Sequence, residues 1–422
     1  MDTFLKTIID QHDMVDAIRI RKHTDCTVEY LRSILGISRT TADKNYNSLL
    51  ASGVIQRSER NTMMCNDCAY FLGISIGSVN IRIILLGLDF EPVELARFDS
   101  YEYIRQLKSI PSFNENECGA CSYAYSVTEK TDGEDNRNDV SVFSSIQDTV
   151  EAIVTFFLKQ AEAARAGNGD PFPLMGIGFG VTGPVDYAQA VWMSSPRIDS
   201  VHEITIRDLI RHTNMALAER LGIFFSIDNN AKAAIVSEYQ YLVEKAGGNF
   251  DDDLALIYIG TGVGSAVVIN KRLLRGRQNY SGELGHAFMP NEGPRLVTIE
   301  QSLRNKQDYQ EKIPFILHML NCMLGIDRFI LVGHSMFEYI GDDDNSSDRR
   351  IHLREDLLPH LMDRRMRFTV SSTKKYCLAE EGRGTPTTAA FGAAIEAYRT
   401  MCGYDYERKS ENRTNLAFDI SW

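Results

Sequence analysis

The stretch of sequence that decides the fold is residues 255–289, ALIYIGTGVGSAVVINKRLLRGRQNYSGELGHAFM. An apolar run at 255–259 is interrupted by GTGVG at 260–264 and resumes at 265–269, which predicts two strands around a glycine turn. Because glycine has no Cβ, such a turn lets backbone N–H groups approach a phosphate or a sugar hydroxyl. Taken alone, the turn is equally compatible with a plain hairpin.

The residues that follow the turn favour a binding site. A basic hairpin with Lys271, Arg272 and Arg275 leads into SGELGH at 281–286. Glu283 and His286 are three residues apart, so one turn of chain can direct a carboxylate and an imidazole towards the same polyol. We therefore expect a polyol or sugar contact at this point.

Glycine turn, basic hairpin and ExGH in this order resemble the ROK family, which comprises repressors, open reading frames and sugar kinases. The resemblance extends over about residues 14–400 and implies an α/β fold, a two-lobed actin-like ATPase (ribonuclease H-like) domain. It predicts a first lobe at 67–186, a second lobe with the closing helix at 187–404, and a tail at 405–422. Residues 1–66 would form a separate domain in front of it.

Composition is consistent with a protein of two or three domains. The chain has 422 residues, of which 44% are hydrophobic and 24% charged, as in soluble globular proteins. No apolar run is long enough to cross a bilayer, and the first residues carry acids where a signal peptide carries bases, so we expect a cytoplasmic protein. The net charge of −12 argues against a nucleic-acid coat or an anionic membrane as the main partner.

The excess of acidic residues lies outside the N-terminal segment, since residues 1–62 hold three Lys and six Arg against six Asp and two Glu. Residues 27–36 predict a helix that stops at Gly36, and Ser38 is a suitable N-cap for a second helix at 39–51. A strand opens at 53–55. Helix, turn, helix and strand are the order of a winged helix-turn-helix, and a three-helix interaction module is the alternative.

The stretch LRSILGISRTTADKNYNSLLASGVI also resembles the N-terminal part of ROK repressors, which kinase members generally lack. The predicted DNA contacts lie on the polar face of the second helix, with phosphate contacts from Arg57 and Arg60. Asp43 on the same helix weakens phosphate contact unless it reads a cytosine amino group. The candidate DNA-binding residues are Arg39, Thr40, Thr41, Lys44 and Asn47.

Two residues depart from the kinase pattern that the resemblance implies. Similar kinases carry an Asp before Ile-Gly in the first strand to serve the metal and the phosphates, and this chain has Ser75. Their catalytic Asp, aligned on Glu238, falls at Asn230, one residue after Asn229. An amide has no useful basicity for accepting a hydroxyl proton. We therefore expect a sugar-binding domain without enzyme activity, and a ROK sugar kinase is the alternative.

By the same resemblance, sugar contacts fall on the glycine-proline turn at 182–186, on the 229–230 junction, on the ExGH sequence and on the following Glu. His286 is either a sugar contact or a structural histidine. The family's zinc-binding cysteine loop is replaced by AFMPNEGPRLVTIEQSL, so that metal site is absent. The candidate sugar-binding residues are Gly183, Asn229, Asn230, Glu283, His286 and Glu300.

Residues 105–143 are polar and acidic, which predicts a partly mobile surface loop. Cys118 and Cys121 lie in it, and Cys65 and Cys68 form a second CxxC pair near the end of the N-terminal domain. Two such pairs offer the ligands of a tetrahedral structural zinc site, whereas four unrelated surface thiols are the alternative.

The prediction is a sugar-responsive transcription regulator of the repressor type. Its partners would be operator DNA and a sugar or sugar phosphate, with no membrane partner. The resemblance to ROK repressors implies a homodimer or homotetramer. A protein that has also lost ligand binding and serves only in protein interactions is a further alternative.

Overall fold

The computed structural model describes residues 3–21, 26–57, 62–94, 106–110, 113, 122–126, 139–168, 171–195, 198, 201–260, 262–276, 280–290, 296–303, 306–333, 367–370 and 388–403. The helices α1 to α10 are Thr3–Asp10, His12–Ile20, Val28–Leu35, Arg39–Ala51, Asp139–Arg165, Ile206–Leu221, Asn230–Lys245, Ile299–Ser302, Lys306–Leu324 and Thr388–Met401. The strands β1 to β17 are Ile55–Arg57, Thr62–Met64, Tyr70–Ile76, Asn80–Leu86, Ser122–Ser126, Leu174–Val181, Val185–Asp186, Val191–Ser194, His202–Thr205, Phe224–Asn229, Leu254–Ile259, Val263–Ile269, Arg272–Leu273, Phe288–Pro290, Leu296–Thr298, Arg328–Val332 and Arg367–Val370.

The N-terminal segment is helical and ends in a small antiparallel hairpin, β1 with β2. The predicted N-cap at Ser38 is confirmed, because its side chain accepts from the Thr41 amide; the Thr27 side chain likewise accepts from the Tyr30 amide at the start of α3. Gly36 ends α3 with a φ of 62°, a conformation that favours glycine. The Tyr46 hydroxyl lies 2.6 Å from the Thr62 hydroxyl, which ties α4 to the hairpin.

The first large sheet has the strand order β10-β6-β3-β4-β5. Strands β3 and β4 form an antiparallel hairpin, and β6 and β10 extend the sheet in parallel. Two elements beyond residue 186, strand β10 and the closing helix α10, also pack with the first sheet. Gly178 of β6 allows this close approach, because a Cβ on it would lie 1.8 Å from the Ala393 carbonyl oxygen of α10.

The interpretation of residues 105–143 as a surface loop is wrong in part. Residues 122–126 form β5, which pairs with β4 at the edge of the sheet, and Tyr123 and Tyr125 are buried there. The cause is local: alternating tyrosines fit a half-buried edge strand despite their polar neighbours. Helix α5 begins at Asp139, inside the expected loop.

The second large sheet has the order β13-β12-β11-β16-β17. Its centre is the predicted pair β11 and β12, antiparallel around the glycine turn, with β16 parallel to β11. A small third sheet, β7-β8-β9, follows the glycine-proline turn.

Helices α7 and α10 pack between the two large sheets. Helix α7 contacts both α10 and strands β11 and β12, whereas α10 contacts β3, β4, β6 and β10. The hydrophobic core that joins these elements also includes residues of the N-terminal helices, such as Ile18 and Leu49. Helix α7 begins at Asn230, so the layer between the sheets starts at the predicted sugar-binding junction. Within the described residues, no helix is both long and apolar enough to span a membrane.

Candidate functional site

The junction of β10 and α7 places two of the candidate sugar-binding residues, Asn229 and Gly183, together. Asn229 caps α7: its Oδ1 accepts from the Ala231 amide at 2.8 Å, and its Nδ2 donates to the Gly183 carbonyl at 2.9 Å. The glycine-proline turn is in turn fixed by the buried Trp192, whose Nε1 donates to the Thr182 carbonyl at 2.7 Å. This part of the site is therefore held rigidly by the backbone around it.

Asn230 and Ser75, the two residues that depart from the kinase pattern, contact each other. The Ser75 hydroxyl donates to Asn230 Oδ1 at 3.0 Å, and Asn230 Nδ2 donates to the Ile76 carbonyl at 2.9 Å. Both side chains are buried. The amide lies against Gly180, where a Cβ would come within 2.6 Å of Asn230 Oδ1. The positions that the kinase pattern assigns to two acids are thus occupied by two neutral side chains, which are hydrogen-bonded to each other.

The loop that carries Glu283 and His286 is docked on β12. Gly282 has a φ of 93°, and a Cβ on it would lie 2.0 Å from the Ser265 carbonyl oxygen. The Ser265 amide donates to the Gly282 carbonyl at 2.8 Å, which fixes the loop to the second sheet. The side chain of His286 is exposed, so it is available to a ligand from solvent.

Glu300 joins this loop to the glycine turn. Its Oε2 accepts from the Val263 amide at 3.3 Å and lies against both Gly262 and Gly285. Burial raises the pKa of Glu283, while the positive charges of Lys232 and His286 oppose the rise and Glu300 adds to it. Glu283, His286 and Glu300 therefore form one electrostatic cluster, which Lys232 connects to α7.

Arg275 was named from the sequence as part of the basic hairpin, but its buried partners were not predicted. Arg275 and Asp228 form a buried ion pair with 2.6 Å between Nη1 and Oδ2, and Asp228 Oδ1 also accepts from the Asn229 amide. The Arg275 guanidinium lies over the Tyr187 ring, 4.0 Å from its centroid. The Tyr187 hydroxyl donates to Glu396 on α10 at 3.2 Å. This network fastens the β12–β13 hairpin to the end of β10.

Lys232 is a further residue that sequence reasoning missed, on the first turn of α7. Lys232 is buried, and burial lowers the pKa of its amine. The positive charge of Arg275 lowers this pKa further, whereas the negative charges of Asp228 and Glu283 raise it. Burial likewise raises the pKa of Glu396, and the positive charges of Arg399 and Arg275 oppose that rise. A single charged residue inside an otherwise small or apolar run, as in NAKAAI and FGAAIEAY, was the pattern that could have found both.

The zinc hypothesis stays a prediction, because Cys118 and Cys121 lie outside the described residues. Cys65 and Cys68 flank a short 3₁₀ turn between β2 and β3. The Cys68 thiol donates to the Cys65 carbonyl at 2.8 Å, and burial raises its pKa. No cluster of three or more metal-binding side chains is found in the part of the chain that the structure describes.

All five predicted DNA-contacting side chains of α4 are exposed. The buried face holds Ala42, Tyr46 and Leu49. Arg39 and Asp43 approach within 3.9 Å, so the carboxylate partly offsets the positive charge of this face. Arg57 on β1 is exposed, and Arg60 lies outside the described residues.

Two mixed sheets around shared helices, with a helical segment in front, define an actin-like ATPase fold with an N-terminal helical domain. Residues 117–297 match the model of the ROK family. The crystal structure of a ROK family transcriptional regulator, described as a homolog of the E. coli MLC protein, has the same fold. It is 14% identical, with a TM-score of 0.55, over 93% of this chain and 98% of that one.

Curated relatives include both enzymes and regulators. A glucokinase of Streptomyces coelicolor is 28% identical over 145 residues, 34% of this chain and 41% of the relative. A xylose repressor of Bacillus subtilis is 30% identical over 125 residues, 30% of this chain and 29% of the relative. The chain thus spans less than half the length of the curated relatives it matches, and these similarities do not choose between the two activities.

Proposed function

We propose that this protein is a sugar-responsive transcription regulator with a catalytically inactive kinase-like domain. In this proposal α3, α4 and the β1–β2 hairpin form a winged helix-turn-helix that binds DNA. A sugar or sugar phosphate binds between the lobes at Asn229, Asn230, Glu283, His286 and Glu300. Its binding changes the spacing of two DNA-binding segments in a homodimer.

The observation that carries the proposal is the hydrogen bond between Ser75 and Asn230. Phosphoryl transfer to a sugar hydroxyl needs a proton acceptor, and a bound magnesium ion prefers carboxylate ligands. Neither group is available from this pair. In the neighbouring carboxylate of Asp228, one oxygen accepts a hydrogen bond from the Asn229 amide and the other is ion-paired with Arg275. Asp228 is therefore a poor replacement for the missing proton acceptor.

The proposal predicts binding without turnover. We expect at least one of D-glucose, D-xylose, N-acetyl-D-mannosamine and their 6- or 5-phosphates to raise the melting temperature of the full chain. At about 100 times its Kd, a ligand stabilises the folded state by about 2.7 kcal/mol, which corresponds to a shift of several degrees. With Mg-ATP added, the same sugars should yield no ADP above the background of a protein-free sample.

Glu283→Gln should abolish the shift, whereas Glu219→Gln, on the exposed surface of α6, should leave it unchanged. The glucokinase of S. coelicolor serves as the positive control for turnover. ADP formation by the wild-type chain that disappears in Asn230→Ala would instead favour the rival function, a sugar kinase, which the similarity to glucokinases supports.

DNA binding is tested through Lys44, which is exposed and lies on the polar face of α4. Wild-type protein should select duplexes from a random pool, and Lys44→Ala should bind those duplexes about tenfold more weakly. The slope of log K against log salt should fall by about one, as for a lost phosphate contact.

Asp43→Asn is a matched change on the same helix, and its expected effect on DNA affinity is opposite to that of Lys44→Ala. It removes the carboxylate beside Arg39, so it should bind the same duplexes more tightly. If no duplex is enriched, or if Lys44→Ala binds as well as wild type, α4 is not the DNA-contacting helix and an interaction module becomes the better interpretation.

A further inference from the structure

Helix α2 of the N-terminal segment carries two buried charged residues. Asp16 and Arg19 are 6% and 2% exposed, and they form an ion pair with each other. Charged side chains are rarely buried to this degree unless they have partners that replace water. Here most of the replacement comes from the ROK domain.

The ROK domain surrounds the pair with a carbonyl, two aromatic rings and a hydroxyl. Arg19 Nε donates to the Leu88 carbonyl at 2.9 Å, and its guanidinium lies 3.7 Å from the ring centroid of Phe90 and 4.4 Å from that of Tyr398. The Tyr398 hydroxyl donates to Asp16 Oδ1 at 2.9 Å. A planar guanidinium suits such a position between rings. We call Asp16, Arg19, Phe90 and Tyr398 the α2 latch.

Tyr398 belongs to α10, whose other end lies at the candidate sugar site. Gly180 is packed between the two, because a Cβ on it would lie 2.6 Å from Asn230 Oδ1 and 3.6 Å from the Ala389 carbonyl oxygen. Ala389 and Tyr398 are nine residues apart, so about 14 Å of helix separate the site from the latch. One helix therefore touches both regions.

The middle of α10 is in close contact with α7. A Cβ at Gly392 would lie 1.7 Å from the Ala233 carbonyl oxygen, so the two helices touch through their backbones. Helix α7 begins at Asn230. Because close-packed backbones cannot shift independently, a displacement of the start of α7 is carried to α10.

We propose that the α2 latch couples the sugar site to the N-terminal segment, with α10 as the rigid link between them. Arg19 and Tyr398 are positioning residues: they hold α2 on the ROK domain and move it when α10 moves. The regulatory meaning of the coupling rests on the proposed function, but the coupling itself does not depend on the identity of the sugar or the operator.

The test is a double-mutant cycle between Tyr398→Phe and Asn230→Ala in the full chain, read by amide hydrogen exchange at residues 12–20. Tyr398→Phe keeps the ring and removes only the hydroxyl bonded to Asp16, so exchange in α2 should become about tenfold faster. Tyr239→Phe is the matched control, since Tyr239 is equally buried and its hydroxyl has no hydrogen-bond partner among the described residues.

Asn230→Ala acts at the start of α7, near the first residues of α10 and away from the latch; α7 itself also contacts α2. Independent sites at this separation have additive effects. If α10 links the two sites, the exchange rate in the double variant should instead differ at least threefold from the product of the two single effects. Additive effects, or a Tyr398→Phe rate equal to that of Tyr239→Phe, would overturn the proposal. Unchanged exchange at residues 328–332 verifies that each variant is folded, and Asn230→Ser replaces Asn230→Ala if it is not.

No ligand is needed for this cycle, so its result is independent of the sugar and DNA experiments. A non-additive cycle in a protein that binds no sugar of the panel would retain the latch and reject the proposed function. An additive cycle in a protein that does bind a sugar would reject the latch alone.

Discussion

Replacing Gly392 by alanine is expected to destabilise the protein by at least about 3 kcal/mol, because the new methyl group has no space. Its Cβ would lie 1.7 Å from the carbonyl oxygen of Ala233 and 2.5 Å from the carbonyl carbon. Both obstacles are backbone atoms of α7, which cannot rotate away as a flexible side chain would. The helices have to separate, and the packing between the two large sheets is lost with them.

Thermal or urea unfolding of the full chain measures this effect. The matched control is Gly222→Asn at the end of α6, where φ is 60° and nothing lies within 4 Å of the added Cβ. Asparagine tolerates this left-handed conformation, so the control should change stability by less than about 1 kcal/mol. Equal stabilities for the two variants would mean that α7 and α10 are not in backbone contact, and the link assigned to α10 would then lose its basis.

Arg275→Met is expected to cost about 3–5 kcal/mol, since it leaves the Asp228 carboxylate buried without its cation. The two side chains are 7% and 2% exposed, so solvent does little to screen the lost interaction. The change also releases the hairpin from Tyr187, and the Glu283 loop that follows the hairpin should bind a sugar more weakly. Urea unfolding gives the first effect, and the thermal shift with a sugar of the panel gives the second.

The double variant Asp228→Asn with Arg275→Met tests the cause. Asparagine keeps an oxygen for the Asn229 amide but carries no charge, so stability should recover by more than half. Arg220→Met is the surface control, because Arg220 and Glu162 form an exposed pair of the kind that contributes about 0–1 kcal/mol. If the double variant is no more stable than Arg275→Met alone, the loss comes from packing around Tyr187 rather than from the unpaired charge.

Features that depend on neighbours in the chain were predicted from the sequence. The N-cap at Ser38 and the end of α3 at Gly36 follow from the residues at those positions. The pairing of β11 with β12 follows from two apolar runs separated by a short glycine turn. The ROK resemblance also rests on residues that are close in the chain, and the family match bears it out.

Features that depend on distant partners were missed or misplaced. The strand at 224–229 has the same apolar pattern whichever sheet it joins, and only its pairing with β6 places it in the first sheet. The edge strand β5 was hidden by its polar surroundings. Asp228 and Arg275 are 47 positions apart, and a charge in a sequence gives no indication of which opposite charge it will meet.

By itself, the sequence determined an α/β chain that resembles the ROK family behind a helical segment, with an amide and a hydroxyl where that resemblance implies two acids of the kinase pattern. Only the tertiary structure decided that Ser75 and Asn230 bond to each other, that Arg275 neutralises Asp228, and that Tyr398 holds α2 through Asp16. The physical reason is range. Helix caps, turns and apolar periodicity act over a few residues, whereas the pairing of buried polar groups depends on which distant segments the folded core brings together.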